Sequence, residues 1–498
     1  MKFVSTRDVL QQEKISASQA IIRGLAPDGG LYVPDGIPAF SESDILSLCK
    51  KSYCERAAFV LSKYLDDYTC EELLEDCLKA YAPSSFPGSS PCPLVRVHDN
   101  VYVLELWHGP TAAFKDMALQ IMPRLLSRAL RKNGVDETAL ILVATSGDTG
   151  KAALEGYKDV PQVKIMVFYP RDGVSRVQKL QMMTQTGDNV SVCAIKGNFD
   201  DAQTGVKKIF SDKAFAKKLG DQGYILSSAN SINWGRLAPQ IAYYVSAYCD
   251  LLNAGAVRYG DPFDVCVPTG NFGNIFAAYL AKRSGLPIRR LICASNKNHI
   301  LTDFLSTGEY DRNRTFFTTM SPSMDILISS NLERLLYFLG GSKKTGQFMS
   351  SLSETGLYRI DAEMLEAVRK EFTGFFTTEE ETAQTIRRYF DDHGYLADTH
   401  TSVALHAANE YAKTAGREVP LVVDSTASPY KFAQDVCKAL RPDLSFEDPM
   451  EALDQLVKLS GKEIPYPLKG IADRKIRFED VIEPAKMPEA VLGFVRRT

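Results

Sequence analysis

The stretch ALILVATSGDTGKAALEGY, residues 139–157, joins an apolar run, a glycine-bearing turn and a helical pattern. Its first seven residues carry no polar face, which is typical of a strand buried on both sides in a parallel sheet. Similar runs alternate with helical segments along the chain, at 101–107, 162–170, 189–197, 224–230, 263–269, 289–295 and 421–426. The pattern predicts an α/β fold with parallel, doubly wound sheets and right-handed crossovers.

Between these strands, continuous helices are expected over 116–134 and from Asn233 to about residue 253. From about residue 320 helices are expected to dominate until the strand at 421–426. Residues 1–92 are predicted to form a small, mainly helical unit. Pro, Gly and Ser concentrate in APSSFPGSSPCP at 82–93, which indicates a linker at the end of this unit. With a second break near 255, we expect domains at 1–92, 93–255 and 256–498.

Composition excludes several classes of protein. The 498 residues carry 58 Lys and Arg against 61 Asp and Glu, so the net charge of −3 gives no reason to expect a nucleic-acid or membrane partner. Apolar residues make up 45%, which excludes wholesale disorder. The ten Cys form no C-x-x-C pair, which argues for a reducing compartment and against a zinc site. Without a transmembrane run or secretory h-region, we expect a cytoplasmic protein.

Lys115 follows the first of four strand ends with unusual chemistry. In ELWHGPTAAFKD, residues 105–116, a strand enters a Gly-Pro turn and a helix follows, with Thr111 as the expected N-cap. Lys115 would then lie in the first helical turn, where the helix dipole and apolar neighbours lower the pKa of an ammonium group. Such an amine can form a Schiff base. The alternative is a surface lysine that starts a helix, which the spacing alone favours.

The other three strand ends could bind anions or a ring. The turn in TSGDTG, residues 145–150, offers backbone N–H groups and hydroxyls to a carboxylate or phosphate, although helix capping by Asp148 or Thr149 is an equal alternative. In PTGNFGN, residues 268–274, two glycines let the main chain approach an anion before a helix begins. VDSTASP, residues 423–429, ends a strand in hydroxyls. Neither a Walker A loop nor a G-x-G-x-x-G fingerprint occurs.

Together, a lysine, a phosphate cradle and a partner for a ring nitrogen describe a pyridoxal phosphate site. The motifs HGPTAAFKD, TSGDTG, TGNFGN and STASP, with GLAPDGGLYVP near the start, resemble threonine synthase of the pyridoxal-phosphate fold-type II group. The resemblance covers nearly the whole chain, including 230–236, 321–337 and 398–408. SGDTG in place of SGNTG indicates the subgroup with an N-terminal extension.

The resemblance implies a role for each strand end. Lys115 would hold the cofactor as a Schiff base, and its phosphate would be bound, chiefly by backbone amides, at Gly270, Asn271, Phe272, Gly273 and Asn274. Thr426, together with Ser425, would meet the pyridine nitrogen. The substrate carboxylate would be held at Ser146, Asp148 and Thr149. The chain departs from many relatives at Ser428, where they have His, and from others at Asn274, where they have Asp.

A second anion site is needed for the phosphate of the substrate. Candidates are Ser231, Asn233 and Arg236, because a guanidinium matches phosphate geometry. A solvated helix position is an equal alternative for Arg236, and His108 and Lys151 are poorer candidates. His400 and His406 lie six residues apart, which does not give a shared helix face, so they are expected to be surface or packing residues.

The reaction implied is the conversion of O-phospho-L-homoserine and water to L-threonine and phosphate. A phospholyase that releases 2-oxobutanoate, ammonia and phosphate shares the fold and cofactor and stays open as an alternative. So does an inactive binding protein of the same fold, although the intact Lys115 and both glycine loops argue against it. A monomer or homodimer is expected.

Overall fold

Parallel strands form the framework of the computed structural model, which describes residues 1–10, 12–145, 147–172, 174–416 and 418–496. The strands are β1 Phe3–Ser5, β2 Tyr32–Pro34, β3 Leu94–His98, β4 Val101–Glu105, β5 Thr138–Ala144, β6 Val163–Pro170, β7 Val190–Ile195, β8 Tyr224–Ser227, β9 Phe263–Pro268, β10 Ile288–Ser295, β11 Glu309–Asp311, β12 Leu357–Arg359, β13 Phe372–Phe376, β14 Leu421–Ser425 and β15 Val481–Ile482.

Helices separate nearly all of these strands, as the sequence pattern predicts. They are α1 Ala17–Arg23, α2 Glu42–Leu48, α3 Tyr53–Tyr64, α4 Cys70–Ala80, α5 Asp116–Leu119, α6 Met122–Lys132, α7 Asp148–Tyr157, α8 Arg176–Met183, α9 Phe199–Ser211, α10 Lys213–Gly220, α11 Trp234–Leu237, α12 Pro239–Asn253, α13 Gly273–Arg283, α14 Ile300–Thr307, α15 Leu332–Glu354, α16 Ala362–Glu371, α17 Glu379–His393, α18 Thr399–Ala415, α19 Ala433–Leu440, α20 Glu451–Ser460 and α21 Met487–Val495. α15 is kinked at Gly341.

The described strands assemble into two larger sheets. One has the order β13-β10-β9-β14-β4-β3, and its strands are parallel except for the β3–β4 hairpin. The other has the order β15-β7-β6-β5-β8 and is parallel throughout. Both are buried by helices, since β5, β6, β7 and β9 are largely inaccessible to water. The predicted α/β class with parallel sheets is confirmed.

Two expected helices are interrupted by proline. The helix expected over 116–134 divides into α5 and α6, because Pro123 has no N–H to donate to the carbonyl one turn earlier. The helix expected from Asn233 divides in the same way into α11 and α12, which begins at Pro239. Both prolines lie in the first turn of the later helix, where the missing donor costs least.

Helices dominate between residues 320 and 421, as expected, but the strand β13, which the sequence did not indicate, also lies in this range. It pairs in parallel with β10 at the edge of the larger sheet. Its sequence FTGFF is half-exposed and interrupted by Gly374, whose added Cβ would lie 2.8 Å from the Cα of Thr302. An edge strand with a glycine at a close backbone approach lacks the apolar run that marks a buried strand.

The N-terminal segment forms a small unit of the β1–β2 hairpin and α1–α4. Each of the four helices starts with a Ser or Thr capping box, at Ser16, Ser41, Ser52 and Thr69. Trp234 of α11 is fully buried against the rings of Phe3 and Tyr64, which fixes this unit to the sheets. The unit is mainly helical, as expected.

The domain boundaries stay a prediction, since residues 93–255 supply strands to both larger sheets. Among the described residues, no helix combines the length and the apolar character needed to cross a bilayer. The strands β9, β14 and β4 are neighbours in the larger sheet, so three of the four unusual strand ends meet at one edge of that sheet. Ligands bind beyond the carboxyl ends of parallel strands, so this edge is where we expect the functional site.

Candidate functional site

The lysine loop that follows β4 is held against the end of β14 by main-chain hydrogen bonds. Leu106 N–H donates to Ser425 O at 2.9 Å and Phe114 N–H to Thr426 O at 2.8 Å. Ser428 N–H donates to Ala112 O at 3.0 Å, and Ala112 adopts the left-handed region with φ 57°. The loop is therefore positioned by its neighbour in the sheet.

Lys115 ends this loop and is buried, with its Nζ 3.2 Å from Ser323 Oγ and 3.9 Å from the carboxylate of Asp148. Burial lowers the pKa of Lys115 to about 8; Asp148 raises it, and the cations of Lys431 and Arg236 lower it further. The alternative of a surface lysine is excluded. A large fraction of neutral amine at neutral to mildly alkaline pH is what a nucleophile or base needs.

The helix start differs from the expectation at Thr111. Lys115 itself occupies the N-cap position of the short helix α5, without a side-chain cap. Thr111 instead donates its N–H and its hydroxyl to the carboxyl of Asp116, at 2.8 Å and 2.7 Å. Asp116 is fully buried, and burial raises its pKa to about 7 although Thr111 opposes this. Thr111 and Asp116 thus fix the loop rather than start a helix.

Asp148, in the loop after β5, is paired with a second buried ammonium group. Lys431 Nζ lies 2.7 Å from Asp148 Oδ1 and also donates to Thr111 O at 2.9 Å. Gln178 Nε2 donates to the same carboxylate at 2.8 Å. Burial by itself would raise the pKa of Asp148, but Lys431 and Lys115 hold it well below its ordinary value. Asp148 is ionised, so its side chain repels a substrate carboxylate, and the residue could bind one only through its backbone N–H.

Helix capping at α7 is carried out by Thr145 rather than by Asp148 or Thr149. Thr145 Oγ1 accepts hydrogen bonds from the N–H groups of Gly147 and Gly150, at 3.0 Å and 2.9 Å. At Gly147, φ is 148° and an added Cβ would lie 2.5 Å from the side chain of Gln178. Thr149 is half-buried in the first turn, and Ser146 lies outside the described residues.

The glycine-rich turn after β9 opens the N-terminus of α13. Phe272 is left-handed, with φ 60°, and its ring packs on Phe372 at 5.6 Å. At Gly270, an added Cβ would lie 2.7 Å from the carbonyl oxygen of Ser323, so the turn has no room for a side chain there. The carbonyl of Asn271 accepts both N–H and Nδ2–H of Asn331, at 3.1 Å and 3.0 Å. The turn is thus held in place by Asn331, and the N–H groups at the start of α13 can bind an anion.

The side chain of Asn274 points away from the turn into a buried network. Its Nδ2 donates to Asp424 Oδ2 at 2.9 Å, and its Oδ1 accepts from Tyr243 and Tyr244. Tyr244 Oη also lies 2.6 Å from Asp424 Oδ2, and its single proton can be donated to only one of these two acceptors. Burial raises the pKa of Asp424 to about 7, although both hydrogen bonds oppose this. The side chain of Asn274 is therefore engaged with Asp424 and the two tyrosines, and only its backbone N–H is left to face the turn.

At the end of β14, Thr426 and Ser425 differ in their availability. Thr426 is buried, and no hydrogen bond to its hydroxyl is found among the described residues. Ser425 Oγ accepts from Trp107 Nε1 at 3.0 Å and lies 3.0 Å from Thr401 Oγ1, and its own O–H can still donate. Ser428 Oγ accepts from Tyr430 N–H at 3.3 Å. Both Thr426 and Ser425 stay candidates for a ring nitrogen, and Thr426 has fewer competing partners among the described residues.

The segment 229–236 supplies a buried guanidinium. Arg236 is 7% exposed, so it is not the solvated helix residue considered as an alternative. It donates to Ala229 O at 2.8 Å, forms no ion pair among the described residues, and burial lowers its pKa to about 10. Ser231 lies 3.4 Å from Asn331 Nδ2. Asn233 is corrected: its amide donates to Ile21 O and its Oδ1 caps Gly235, so its side chain is not available to substrate.

The poorer candidates are engaged elsewhere. His108 stacks on Trp107 and pairs with Glu105 at 2.8 Å. Lys151 pairs with Glu155 at 2.9 Å. In the part of the chain that the structure describes, His, Cys, Asp and Glu form no group of three suited to a metal ion.

Sequence reasoning missed the residues that arrive from distant segments: Gln178, Ser323, Asp398, His400 and Lys431. His400, predicted to be a surface or packing residue, is 1% exposed and its Nε2 accepts the N–H of Ser323 at 3.1 Å. Ser323, Asp398 and His400 lie in the stretches 321–337 and 398–408. These stretches resemble the family, but no role was assigned to them from the sequence.

Pyridoxal phosphate fits these residues. The buried amine of Lys115 suits the aldehyde, and the turn without room for a Cβ at Gly270 suits the phosphate. The hydroxyl of Thr426, which has no hydrogen-bond partner among the described residues, suits the ring nitrogen. The cations of Lys431 and Arg236 lie near Lys115, together with the carboxyls of Asp148 and Asp116. The two cations favour an anionic ligand beside Lys115.

Family models cover most of the chain. The description "pyridoxal-phosphate dependent enzyme" applies to residues 86–424, "threonine synthase N terminus" to 2–81 and "threonine synthase, C-terminal" to 401–492. The chain is 41% identical to human threonine synthase-like 1 over 88% of its own length, but it spans only 61% of that relative.

Threonine synthases match over nearly their full length. That of Pseudomonas aeruginosa is 40% identical, covering 88% of this chain and 90% of the relative. The crystal structure of pyridoxal-phosphate-bound threonine synthase from Brucella melitensis is 38% identical, with a TM-score of 0.88, and covers 100% of this chain and 99% of that chain. The yeast threonine synthase structure has a TM-score of 0.89 at 32% identity, covering 100% and 99%. The chain therefore belongs to the threonine synthase family of pyridoxal-phosphate-dependent, fold-type II enzymes.

Proposed function

We propose that the protein is a threonine synthase that converts O-phospho-L-homoserine and water to L-threonine and phosphate. The observation that carries the proposal is the buried amine of Lys115, whose pKa is lowered to about 8 by burial and by the nearby cations of Lys431 and Arg236. Relatives named threonine synthase in Pseudomonas aeruginosa and Saccharomyces cerevisiae, at 40% and 35% identity, support it.

Cofactor binding is assigned to three strand ends. Lys115 would carry pyridoxal phosphate as a Schiff base, and the N–H groups of the turn 270–274 would bind its phosphate at the start of α13. The hydroxyl of Thr426 would meet the pyridine nitrogen. The bound cofactor supplies an electron-withdrawing ring, which makes the protons on the carbons next to the amine of the substrate removable.

Substrate binding is assigned to polar groups near Lys115 that the cofactor does not use. Arg236, buried and without a carboxylate partner among the described residues, would bind the phosphate of the substrate together with Ser231. The N–H groups of Asp148 and Thr149 at the start of α7, next to Ser146, would hold the substrate carboxylate. The side chain of Asp148 would remain paired with Lys431.

Proton transfer is assigned to Lys115 Nζ. With substrate bound, the neutral amine of Lys115 would take one proton from Cα and one from Cβ as phosphate leaves from Cγ with the bonding electrons, and a proton would be delivered to Cγ, which becomes the methyl group of threonine. The hydroxide of a water molecule would then add at Cβ, and Lys115 would return a proton to Cα. A lowered lysine pKa favours these steps because the same group must both accept and release protons near neutral pH.

The test is incubation of the cofactor-loaded protein with O-phospho-L-homoserine, scoring threonine, 2-oxobutanoate and phosphate together. We expect threonine and phosphate in equal amounts from the wild type and from Lys413→Ala, a surface control, and no product from Lys115→Ala. Borohydride reduction and peptide mapping should place the cofactor on Lys115.

Two other outcomes would replace the proposal. Equal 2-oxobutanoate and phosphate without threonine would indicate a phospholyase. A protein that binds the cofactor but releases no phosphate would be an inactive member of the family. The division into domains at 1–92, 93–255 and 256–498, the cytoplasmic location and the monomeric or homodimeric state remain predictions.

A further inference from the structure

A chain of polar groups, buried except for the half-buried Ser323, leads from Lys115 to α18. Lys115 Nζ lies 3.2 Å from Ser323 Oγ, and the N–H of Ser323 donates to His400 Nε2 at 3.1 Å. His400 Nδ1 lies 2.8 Å from Asp398 Oδ2. Ser323, His400 and Asp398 come from two segments far from Lys115 in sequence, so their convergence on one amine is a property of the fold.

The geometry fixes the tautomer of His400. Asp398 accepts the proton on Nδ1, which leaves a lone pair on Nε2 to accept the N–H of Ser323. Asp398 is itself held as the N-cap of α18, where it accepts the N–H groups of His400 and Thr401 at 2.9 Å and 3.1 Å. His400 and Asp398 are 1% and 0% exposed, so water does not compete for these bonds.

Ser323 is also confined on its other side. Its carbonyl oxygen lies so close to Gly270 that an added Cβ there would be 2.7 Å away. Ser323 follows Pro322 in a short 3-10 turn, which limits the freedom of its backbone. His400 and the glycine turn thus hold the backbone of Ser323 on both sides, which fixes the position of its Cβ relative to Lys115.

We propose that Ser323 is a catalytic residue that orients Lys115 Nζ through its hydroxyl, and that His400 and Asp398 are positioning residues that hold Ser323 in place. The inference rests on the proposed function, in which Lys115 is the proton-transferring group. It assigns a role to the stretches 321–337 and 398–408, which have none in the cofactor and substrate sites.

The proposed role requires no covalent change at Ser323. One N–H of the neutral amine points to Ser323 Oγ, which turns the lone pair of Nζ toward the substrate carbon. When Nζ takes up a proton, the same hydrogen bond becomes charge-assisted and therefore stronger. Ser323 thus favours the protonated lysine, and its loss should lower the pKa of Lys115.

The first test uses the cofactor-free protein. The rate at which Lys115 is acetylated in short pulses, measured by peptide mass spectrometry against pH, reports the pKa of the amine without any turnover. Ser323→Ala should shift this pKa down by about 0.5 to 1 pH unit, and Ser323→Thr should restore it. An unchanged pKa in Ser323→Ala would overturn the contact.

The second test uses the cofactor-loaded protein and a matched pair of histidines on α18. His400→Gln should lower kcat about tenfold and leave KM within about twofold of the wild-type value. The variant should also shift the dependence of kcat on pH. His406, half-buried against Glu381 at 3.7 Å on the same helix, serves as the control, and His406→Gln should leave both unchanged. Equal behaviour of the two variants, or a change in KM alone, would overturn the positioning role.

The two proposals can fail separately. If the wild type releases no threonine but acetylation still shows the shift in Ser323→Ala, the proposed function fails while the contact stands. If threonine forms normally in both Ser323→Ala and His400→Gln, the inference fails and the function stands.

Discussion

At the scale of single residues, the pair of Asp148 and Lys431 offers a direct test of the electrostatics. Lys431→Met would leave the buried carboxylate of Asp148 without its nearest cation. Removing one partner of a buried ion pair lowers the free energy of unfolding by about 3–5 kcal/mol. Asp148→Asn should also destabilise, because it leaves Lys431 unpaired. The double variant should be more stable than the sum predicts, as measured by denaturant unfolding in a double-mutant cycle.

The control for this cycle is the exposed pair of Lys413 and Glu410, whose lysine side chain is 68% exposed. Lys413→Met should change the free energy of unfolding by less than about 1 kcal/mol. Strict additivity of Lys431→Met and Asp148→Asn would contradict the pairing.

A second residue-scale prediction concerns pH and Asp424. Burial raises the pKa of this carboxyl to about 7 in the folded protein, so between about pH 4 and 7 it is protonated when folded and ionised when unfolded. Folding then takes up a proton, and stability falls as pH rises through this window by up to about 1.4 kcal/mol per pH unit. Asp424→Asn should remove this loss while keeping an acceptor for Tyr244.

The measurement is the difference in unfolding midpoint between pH 5 and pH 7 for the two proteins in the same cofactor state. The variant should lose less stability over this interval than the wild type. Asp116, whose pKa is also raised to about 7 by burial, contributes to both proteins equally and cancels in the comparison. Parallel pH profiles would show that Asp424 is ionised in the folded state.

The residues near Lys115 show what sequence can predict. The lysine and the glycines of 270–273 lie inside short local motifs, so they could be named as candidates from the sequence, although spacing alone favoured a surface lysine at 115. Lys431, Ser323 and His400 act through contacts between segments far apart in the chain, which no local pattern encodes. His400 was misjudged because helical spacing was compared only with His406, whereas its partners are Asp398 on its own helix start and Ser323 on another segment.

At the scale of elements, the turn before α13 depends on the absence of side chains. Gly270→Ala would place a Cβ 2.7 Å from the carbonyl oxygen of Ser323, a backbone atom that cannot rotate away. We expect the turn to shift, and cofactor affinity to fall at least about tenfold, since a misplaced N–H group loses about 1.4 kcal/mol or more of binding.

The matched control is Gly346, in α15, where an added Cβ meets no atom within 4 Å. Gly346→Ala should bind the cofactor normally and be slightly more stable, by up to about 1 kcal/mol, because alanine favours a helix. Affinity is measured by titrating cofactor-free protein with pyridoxal phosphate and following absorbance. Equal affinity for both variants would argue against the turn as the phosphate site.

Elements were predicted well where local signals dominate. The buried parallel strands β5, β6, β9, β10 and β14 follow from apolar runs alone, and the structure has each of them. Helix ends were less accurate, because Pro123 and Pro239 divide helices that the apolar pattern continues. β13 was missed since an edge strand gains its stability from pairing with β10 rather than from its own sequence.

At the scale of the whole molecule, Glu333 joins the N-terminal unit to the cofactor region. Its carboxylate accepts two hydrogen bonds from Arg7, each at 2.8 Å, and one from Thr6 at 2.6 Å, and it is only 4% exposed. The next residue, Arg334, donates to Tyr32 O at 3.1 Å and also to Asn331, which holds the turn at Asn271. The N-terminal unit is thereby coupled to the phosphate turn through the start of α15.

Glu333→Gln should therefore weaken two properties at once. The neutral amide keeps the shape of the side chain but loses the charge that binds the guanidinium, so stability should fall by about 2–4 kcal/mol. Loosening α15 should also let Asn331 move, and cofactor should be lost faster on dialysis, as measured by absorbance. Lys413→Met provides the surface control. Because the coupling runs through Asn331, Asn331→Ala should reproduce the faster loss of cofactor with Arg7 still paired, and normal retention in that variant would mean that the N-terminal unit stabilises the fold without reaching the site.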